Sequence, residues 1–150
     1  MNKGVETAFL ALAIAGLAST LVLFGADYGT LPAIVPTHFG PDGSVNAWGP
    51  KSTFVLFPVM SVVFFGVFVI AGAVMRLSAR PSPPAVPLLF RALIAETIWM
   101  FFFIELGTLA AANGHGTGLG VGFFVCLGLV LATAAVTVIY GVTWALRYRR

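Results

Sequence analysis

Charge is what this sequence has least of. Asp, Glu, Lys and Arg together make up 9% of its 150 residues, where a soluble domain carries about 25%. Hydrophobic residues account for 59%. Five acids and eight bases cannot coat a water-facing surface, so a soluble globular fold is excluded and an integral membrane protein is implied. Cysteine is nearly absent as well. Cys126 is the only one, which rules out an intramolecular disulfide and a thiolate metal cluster. Its place in an apolar run fits a small core residue. Two histidines, His38 and His115, have no further His or Cys at ligand spacing, so no metal site is expected. HExxH, GxSxG, P-loop and Gly-rich nucleotide motifs are all missing, and the chain reads as a non-enzyme without cofactor. The net charge of +3 would point to nucleic acid in a soluble protein. In a membrane protein a basic excess reports topology, and no nucleic-acid partner is expected.

What the sequence has instead is long apolar runs. Four stretches, about 7–26, 52–75, 88–112 and 119–146, each reach the ~20 residues that a helix needs to cross hydrocarbon. They predict an all-α membrane protein, a single four-helix transmembrane bundle over 1–150, with an ordered outer loop at 27–51 between helices 1 and 2. The first run is longer than a signal-peptide core and lacks a clear small-x-small cleavage site, so it reads as a retained helix. Lys3, Arg76, Arg80, Arg91, Arg147, Arg149 and Arg150 belong on one side and Lys51 alone on the other. The positive-inside rule then puts both termini in the cytoplasm of a multi-pass protein of the bacterial cytoplasmic (inner) membrane. The cytoplasmic connector SARPSPPAVP reads as a short stiff linker because its prolines forbid helix. The third loop, AANGHGTGLG, reads as a flexible turn. Small residues in the last span (Gly118 and Gly122, Gly128 and Ala132, Thr133, Thr137, Gly141, Ala145) form a stripe suited to packing within the bundle.

Polar character concentrates in Leu31 to Lys51, LPAIVPTHFGPDGSVNAWGPK. Pro32 and Pro36 interrupt helix, Gly40-Pro41-Asp42-Gly43 is a strong turn signal, and Gly49-Pro50 closes the segment. Trp48 suits a membrane interface and Lys51 a headgroup layer. His38 has three open roles: a loop hydrogen bond, a titrating group, or a ligand. The order Leu31-Pro32, Pro36, His38-Phe39, Gly40, Gly43, Trp48, Lys51 resembles the LP...P.HF...G....W..K signature of a bacterial membrane family, domain of unknown function 1648 (DUF1648). That domain type also forms the N-terminal part of SdpI-like immunity proteins. The resemblance covers span one, the loop and the start of span two. It implies a small polytopic bacterial membrane protein. SdpI-like members protect against a secreted toxic peptide and hold a repressor at the membrane. His38 and Lys51 carry over as motif positions, and no catalytic residue does.

Glu96 and Glu105 are the costly residues, since a charge at the bilayer centre costs roughly 2.5–3.5 kcal/mol on insertion scales. They are nine positions apart, on opposite faces of one helix, so a carboxylate dyad is excluded. Glu96 should sit near Arg91 as an ion pair, or be protonated and bonded to a Thr or backbone group of another span. Glu105 should lie toward the outer loop, with Asp27, Asp42 and His115 as further members of a polar cluster. It would either line a ligand pocket or fasten the loop to the bundle through Lys51 or His38. Three functions follow. The leading one is an accessory or immunity-type protein that binds a peptide, lipid or partner subunit through His38, Trp48, Lys51 and Glu105. A proton-coupled transporter or channel subunit would use Glu96 and Glu105 as proton or ion-pair sites, with Arg91 and Asp27 beside them. Four spans without an inverted repeat would then require a homo-oligomer. A membrane enzyme acting on lipid or cell-wall substrate is the third.

Overall fold

The computed structural model describes residues 3–77 and 83–148, with side chains there except at 76 and 148. The linker residues 78–82, including Arg80, and the terminal Arg149 and Arg150 lie outside the described residues, as does the side chain of Arg76. Four helices dominate: α1 (Lys3–Asp27), α2 (Leu56–Leu77), α3 (Val86–Ala112) and α4 (Val121–Tyr148). Each has the length and apolarity to cross a membrane, with a 3-10 turn, Lys51–Val55, leading into the second. The chain is a multi-pass membrane protein of four spans. The second span begins irregularly for a local reason. Pro58 has no N–H to offer the carbonyl of Phe54, so regular α-helix starts only at Leu56.

Helix α3 is the hub. It runs parallel to α1: Glu6 pairs with Arg91, Trp99 Nε1 donates to the Leu12 carbonyl at 3.1 Å, and Ala13 clusters with Ile94, Ala95 and Ile98. Gly16 permits the close approach, because a Cβ there would lie 3.1 Å from Ile98 and 3.2 Å from Trp99. Against α2 it runs antiparallel, with Phe64 on Phe101 and Phe68 on Phe90. Against α4 it is antiparallel again. A Cβ at Gly122 would overlap the Phe103 ring, and Thr133 Oγ1 bonds Glu96. Helices α1, α2 and α3 pack mutually, whereas α4 rests on α3. The small-residue stripe of α4 is therefore only partly an intramolecular seam. Gly122 and Thr133 meet α3, but Gly128 and Gly141 face open space. Val125, Leu129, Leu131, Val138 and Ile139 on α4 are exposed, as lipid-facing side chains are in a chain whose solvent is hydrocarbon.

The segment between α1 and α2 is a β-hairpin, β1 (Ile34–Phe39) and β2 (Val45–Pro50). Its turn is the one the glycines and proline mark. Gly43 N–H donates to the Gly40 carbonyl at 2.9 Å, and Gly43 takes φ +81°, a conformation that suits glycine. Strand formation goes beyond the expectation of a merely ordered loop. The α3–α4 loop departs from expectation more clearly. It does not behave as a free turn but docks on the hairpin tip: Leu119 N–H donates to the Gly43 carbonyl at 2.8 Å, Val45 N–H to the Thr117 carbonyl at 3.2 Å, and Ser44 pairs with Gly118. A Cβ on Gly118 would overlap the Gly43 carbonyl, so glycine is what lets the two backbones meet.

Candidate functional site: a hairpin over a buried polar layer

The hairpin is irregular where its polar side chains stand. Register slips on either side of His38, which pairs with Ala47, leaving Thr37 and Asn46 as the extra residues of two bulges. Pro36, which cannot donate to a ladder, precedes the first. The bulges place His38 beside Asn46, with Nδ1 and Oδ1 2.5 Å apart. With the amide oxygen accepting, Nδ1 carries the hydrogen and Nε2 is left for other partners. Gly49 makes room for the bulged Thr37, whose methyl would lie 2.8 Å from a Cβ at that position. Trp48 is 54% exposed. The tip is held by Asp42, whose Oδ1 accepts from Ser44 N–H at 3.0 Å and Ser44 Oγ at 2.8 Å. Those bonds from the Ser44 side chain and backbone hold the Asp42 carboxyl below its usual range.

Part of β1 is buried against the helices. Val35 and Pro36 are buried, and Val35 clusters with Leu31 and Phe54 under a shell of Phe24, Tyr28, Phe57, Leu109 and Ala112. This apolar cluster closes the hairpin end of the helices. Lys51 stays at its edge: Nζ donates to the Tyr28 carbonyl at 3.3 Å and lies 5.0 Å from the centre of the Tyr28 ring.

Glu105 lies beneath this cluster, fully buried, and neither carboxylate oxygen has a hydrogen-bond partner. The expected bond from Glu105 to Lys51 or His38 is not made, since Lys51 is engaged by Tyr28 and His38 by Asn46. On the opposite face of α3, Glu96 accepts from Thr133 Oγ1 at 3.0 Å while its second oxygen is buried without a partner. The bond to a threonine of another span is thus the arrangement found. Arg91 turns instead to Glu6 of α1, 3.3 Å away. His115 is exposed in the α3–α4 loop. Among the described residues, no three His, Cys, Asp or Glu side chains converge as a metal site would require. A separate apolar cleft of about 450 Å³ opens between α1, α2 and α3 at the Arg91 end, lined by Leu10, Phe68, Gly72 and Phe90 among others.

Sequence reasoning passed over three residues at this site. Asn46 orients His38 through bulges that no local signal announces. Thr20 and Ser61 are buried hydroxyls within spans one and two, each without a hydrogen-bond partner. Their positions were readable. Thr20 lies two turns before Asp27 on one stripe of α1, and a lone Ser in an otherwise apolar helix is a marker of an interior face.

In comparison with known families, the model for a domain of unknown function, DUF1648, matches residues 8–62, which takes in most of α1, the whole hairpin and the start of α2. Neither a curated protein nor a solved structure matches the chain.

Proposed function

Because residues 8–62 match the DUF1648 model, we propose that the chain is a non-enzymatic accessory or immunity-type protein of the bacterial cytoplasmic membrane, and that its hairpin is the recognition face for a peptide or a segment of a partner protein. Both termini are cytoplasmic in this reading and the hairpin projects outward, in keeping with the placement of Lys3, Arg91 and Arg147 at one end and Lys51 at the other. The observation that carries it is the contrast between the hairpin's buried anchor and its exposed side chains. Val35 anchors the hairpin to the helices, and the docked α3–α4 loop braces the tip, while Thr37, His38, Asn46 and Trp48 stand exposed. A preorganised scaffold that presents an aromatic ring and a polarised imidazole lowers the ordering cost of binding. An SdpI-like role in immunity is one form of this function.

The experiment is photo-crosslinking in intact cells from positions 46 and 48, with position 59 on the lipid-facing side of α2 as control. A discrete peptide or protein adduct from 46 and 48 but not from 59 supports the reading, and lipid adducts alone from all three refute it. Transport through paired acids receives less support. Glu96 faces α4 and Glu105 faces α1 and α2, so the two do not share a path through the packed helices.

A further inference from the structure

Helices α1, α2 and α3 enclose a polar layer between two apolar clusters. Below it Ala13, Ile94, Ala95 and Ile98 pack together, with Phe64, Phe65, Phe68 and Phe90 around them. Above it Leu31, Val35 and Phe54 close the end. The register of the helices places three polar residues in the gap. Ala13 and Ile98 share the lower cluster on parallel helices, and two turns on from each stand Thr20 and Glu105. Phe64 packs on Phe101 across antiparallel helices, and one turn toward the hairpin from each stand Ser61 and Glu105. All three are fully buried. Thr20 Oγ1, Ser61 Oγ, Glu105 Oε1 and Glu105 Oε2 have no hydrogen-bond partner, so none of them bonds another directly.

Four unpartnered oxygens at one level of a hydrocarbon-embedded bundle are not a stable arrangement by themselves. Each buried polar group without a partner costs about 1–3 kcal/mol, and an enclosed carboxylate with no counter-charge costs more. Neither Lys51 nor Arg91 supplies that charge: Lys51 is bound at Tyr28, and Arg91, paired with Glu6, lies about 21 Å from Glu105 along α3. The donor set is composed of hard oxygens alone, which suits protons, water and s-block cations. Its formal charge is a single negative one, which a monovalent cation neutralises and a divalent ion would overcompensate.

We propose that Thr20, Ser61 and Glu105 form an internal site for one monovalent cation, held either as a proton on Glu105 with a bridging water or as a sodium ion among the same oxygens. In the proton form the water bonds the carboxyl and the two hydroxyls, as buried waters do when they satisfy about three otherwise unpaired groups. In the sodium form the carboxylate and hydroxyl oxygens replace water of hydration. The site is independent of whatever the hairpin binds. Other titratable groups at this end, among the described residues, are Asp27 on α1, Tyr28 just after it, His38 on β1, Asp42 at the hairpin tip, Lys51 at the 3-10 turn and His115 in the α3–α4 loop. The hairpin half of α2 carries none.

Infrared spectroscopy of the purified full chain in sodium-free nanodiscs tests this. A carboxylic-acid C=O band at neutral pH, lost in Glu105→Gln, is expected. Thr20→Val and Ser61→Ala, which keep size and fold, should each shift that band, a change that simple packing would not produce. Adding sodium, with potassium at equal ionic strength as control, separates the two forms: selective loss of the band with a rise in Tm identifies sodium, and an unchanged band identifies the proton with water. Absence of any Glu105 carboxylic-acid band together with no sodium-dependent Tm rise overturns the site. A band that neither Thr20→Val nor Ser61→Ala moves overturns it as a shared site.

Discussion

Replacing Gly118 by alanine removes no side chain and inserts one methyl, yet it should free the hairpin tip. The added Cβ would overlap the carbonyl of Gly43 and come within 3.0 Å of Ser44 Cα. Both obstacles are backbone, which cannot rotate aside as a side chain does, so the α3–α4 loop must withdraw. Withdrawal breaks the bonds from Leu119 N–H to Gly43 at 2.8 Å and from Val45 N–H to Thr117 at 3.2 Å. Two such bonds contribute about 1–3 kcal/mol together. At the middle of that range local opening becomes about 30 times more frequent, since each 1.4 kcal/mol is tenfold. Hydrogen exchange read by mass spectrometry at Val45 and Leu119 should accelerate by that order, while the helical interior keeps its protection. Gly120→Ala is the control, because no atom lies within 4 Å of a Cβ there. Unchanged protection at Val45 and Leu119 in Gly118→Ala, or equal loss in Gly120→Ala, would refute the account of the tip as backbone-docked.

Gly122→Leu should lower the Tm of the protein in detergent, because a Cβ there already overlaps Phe103 and a larger side chain forces α4 off α3, a strain of about 1–3 kcal/mol. Thr133→Val should destabilise by a similar ~1–3 kcal/mol, since it deprives the half-buried Glu96 of its bond; Glu96→Leu in the same background should restore the loss, and chemical denaturation checks both. At the tip, the Asp42 carboxyl is held below its ordinary value of 3.8. Its contribution is therefore complete above pH 3.8 and is lost as pH falls through the lower folded value. The Ser44 amide resonance should titrate there in the wild type and stay flat in Asp42→Asn. Lys51→Met should leave helix content unchanged and loosen Tyr28 by about 0.5–1 kcal/mol, the size of an exposed cation–π contact, read as faster exchange at Tyr28 and its neighbours.

Apolar length was the most readable property. A run of twenty uncharged residues has few alternatives in water or lipid, which is why Ser52 to Met75 and Leu119 to Leu146 announce spans and why only their ends shift, as at Pro58. The tip of the outer loop was also legible, since Gly40-Pro41-Asp42-Gly43 carries its own backbone preferences. The β-pairing of residues 34–39 with 45–50 was not, because two prolines and two bulges break the alternation by which strands are recognised. The docked α3–α4 loop was hidden for another reason. Glycines in AANGHGTGLG look like freedom in one dimension, and only the approach of Gly43 turns Gly118 into a contact. The polar layer needed three helices in register before Thr20, Ser61 and Glu105 could be seen at one height.

The expected bond between Lys51 and Glu105 fails for a reason that bears on the whole hairpin end. To reach Glu105, the ammonium would have to pass beneath Leu31, Val35 and Phe54, which are at most 5% exposed. Burying both ions strips their hydration at an effective cost of several kcal/mol each, which their attraction recovers only with ideal geometry and further hydrogen bonds. At the rim, Lys51 keeps part of its hydration and gains the Tyr28 carbonyl and ring. The cheaper solution for the base leaves the acid uncompensated. Glu96 meets the same problem on the other face of α3 differently, because α4 approaches there with Thr133 and offers a hydroxyl donor. Glu105 faces two helices whose hydroxyls stand at its level without bonding it. An apolar cap thick enough to exclude Lys51 also excludes bulk water, so the charge on Glu105 must be answered from within the layer itself.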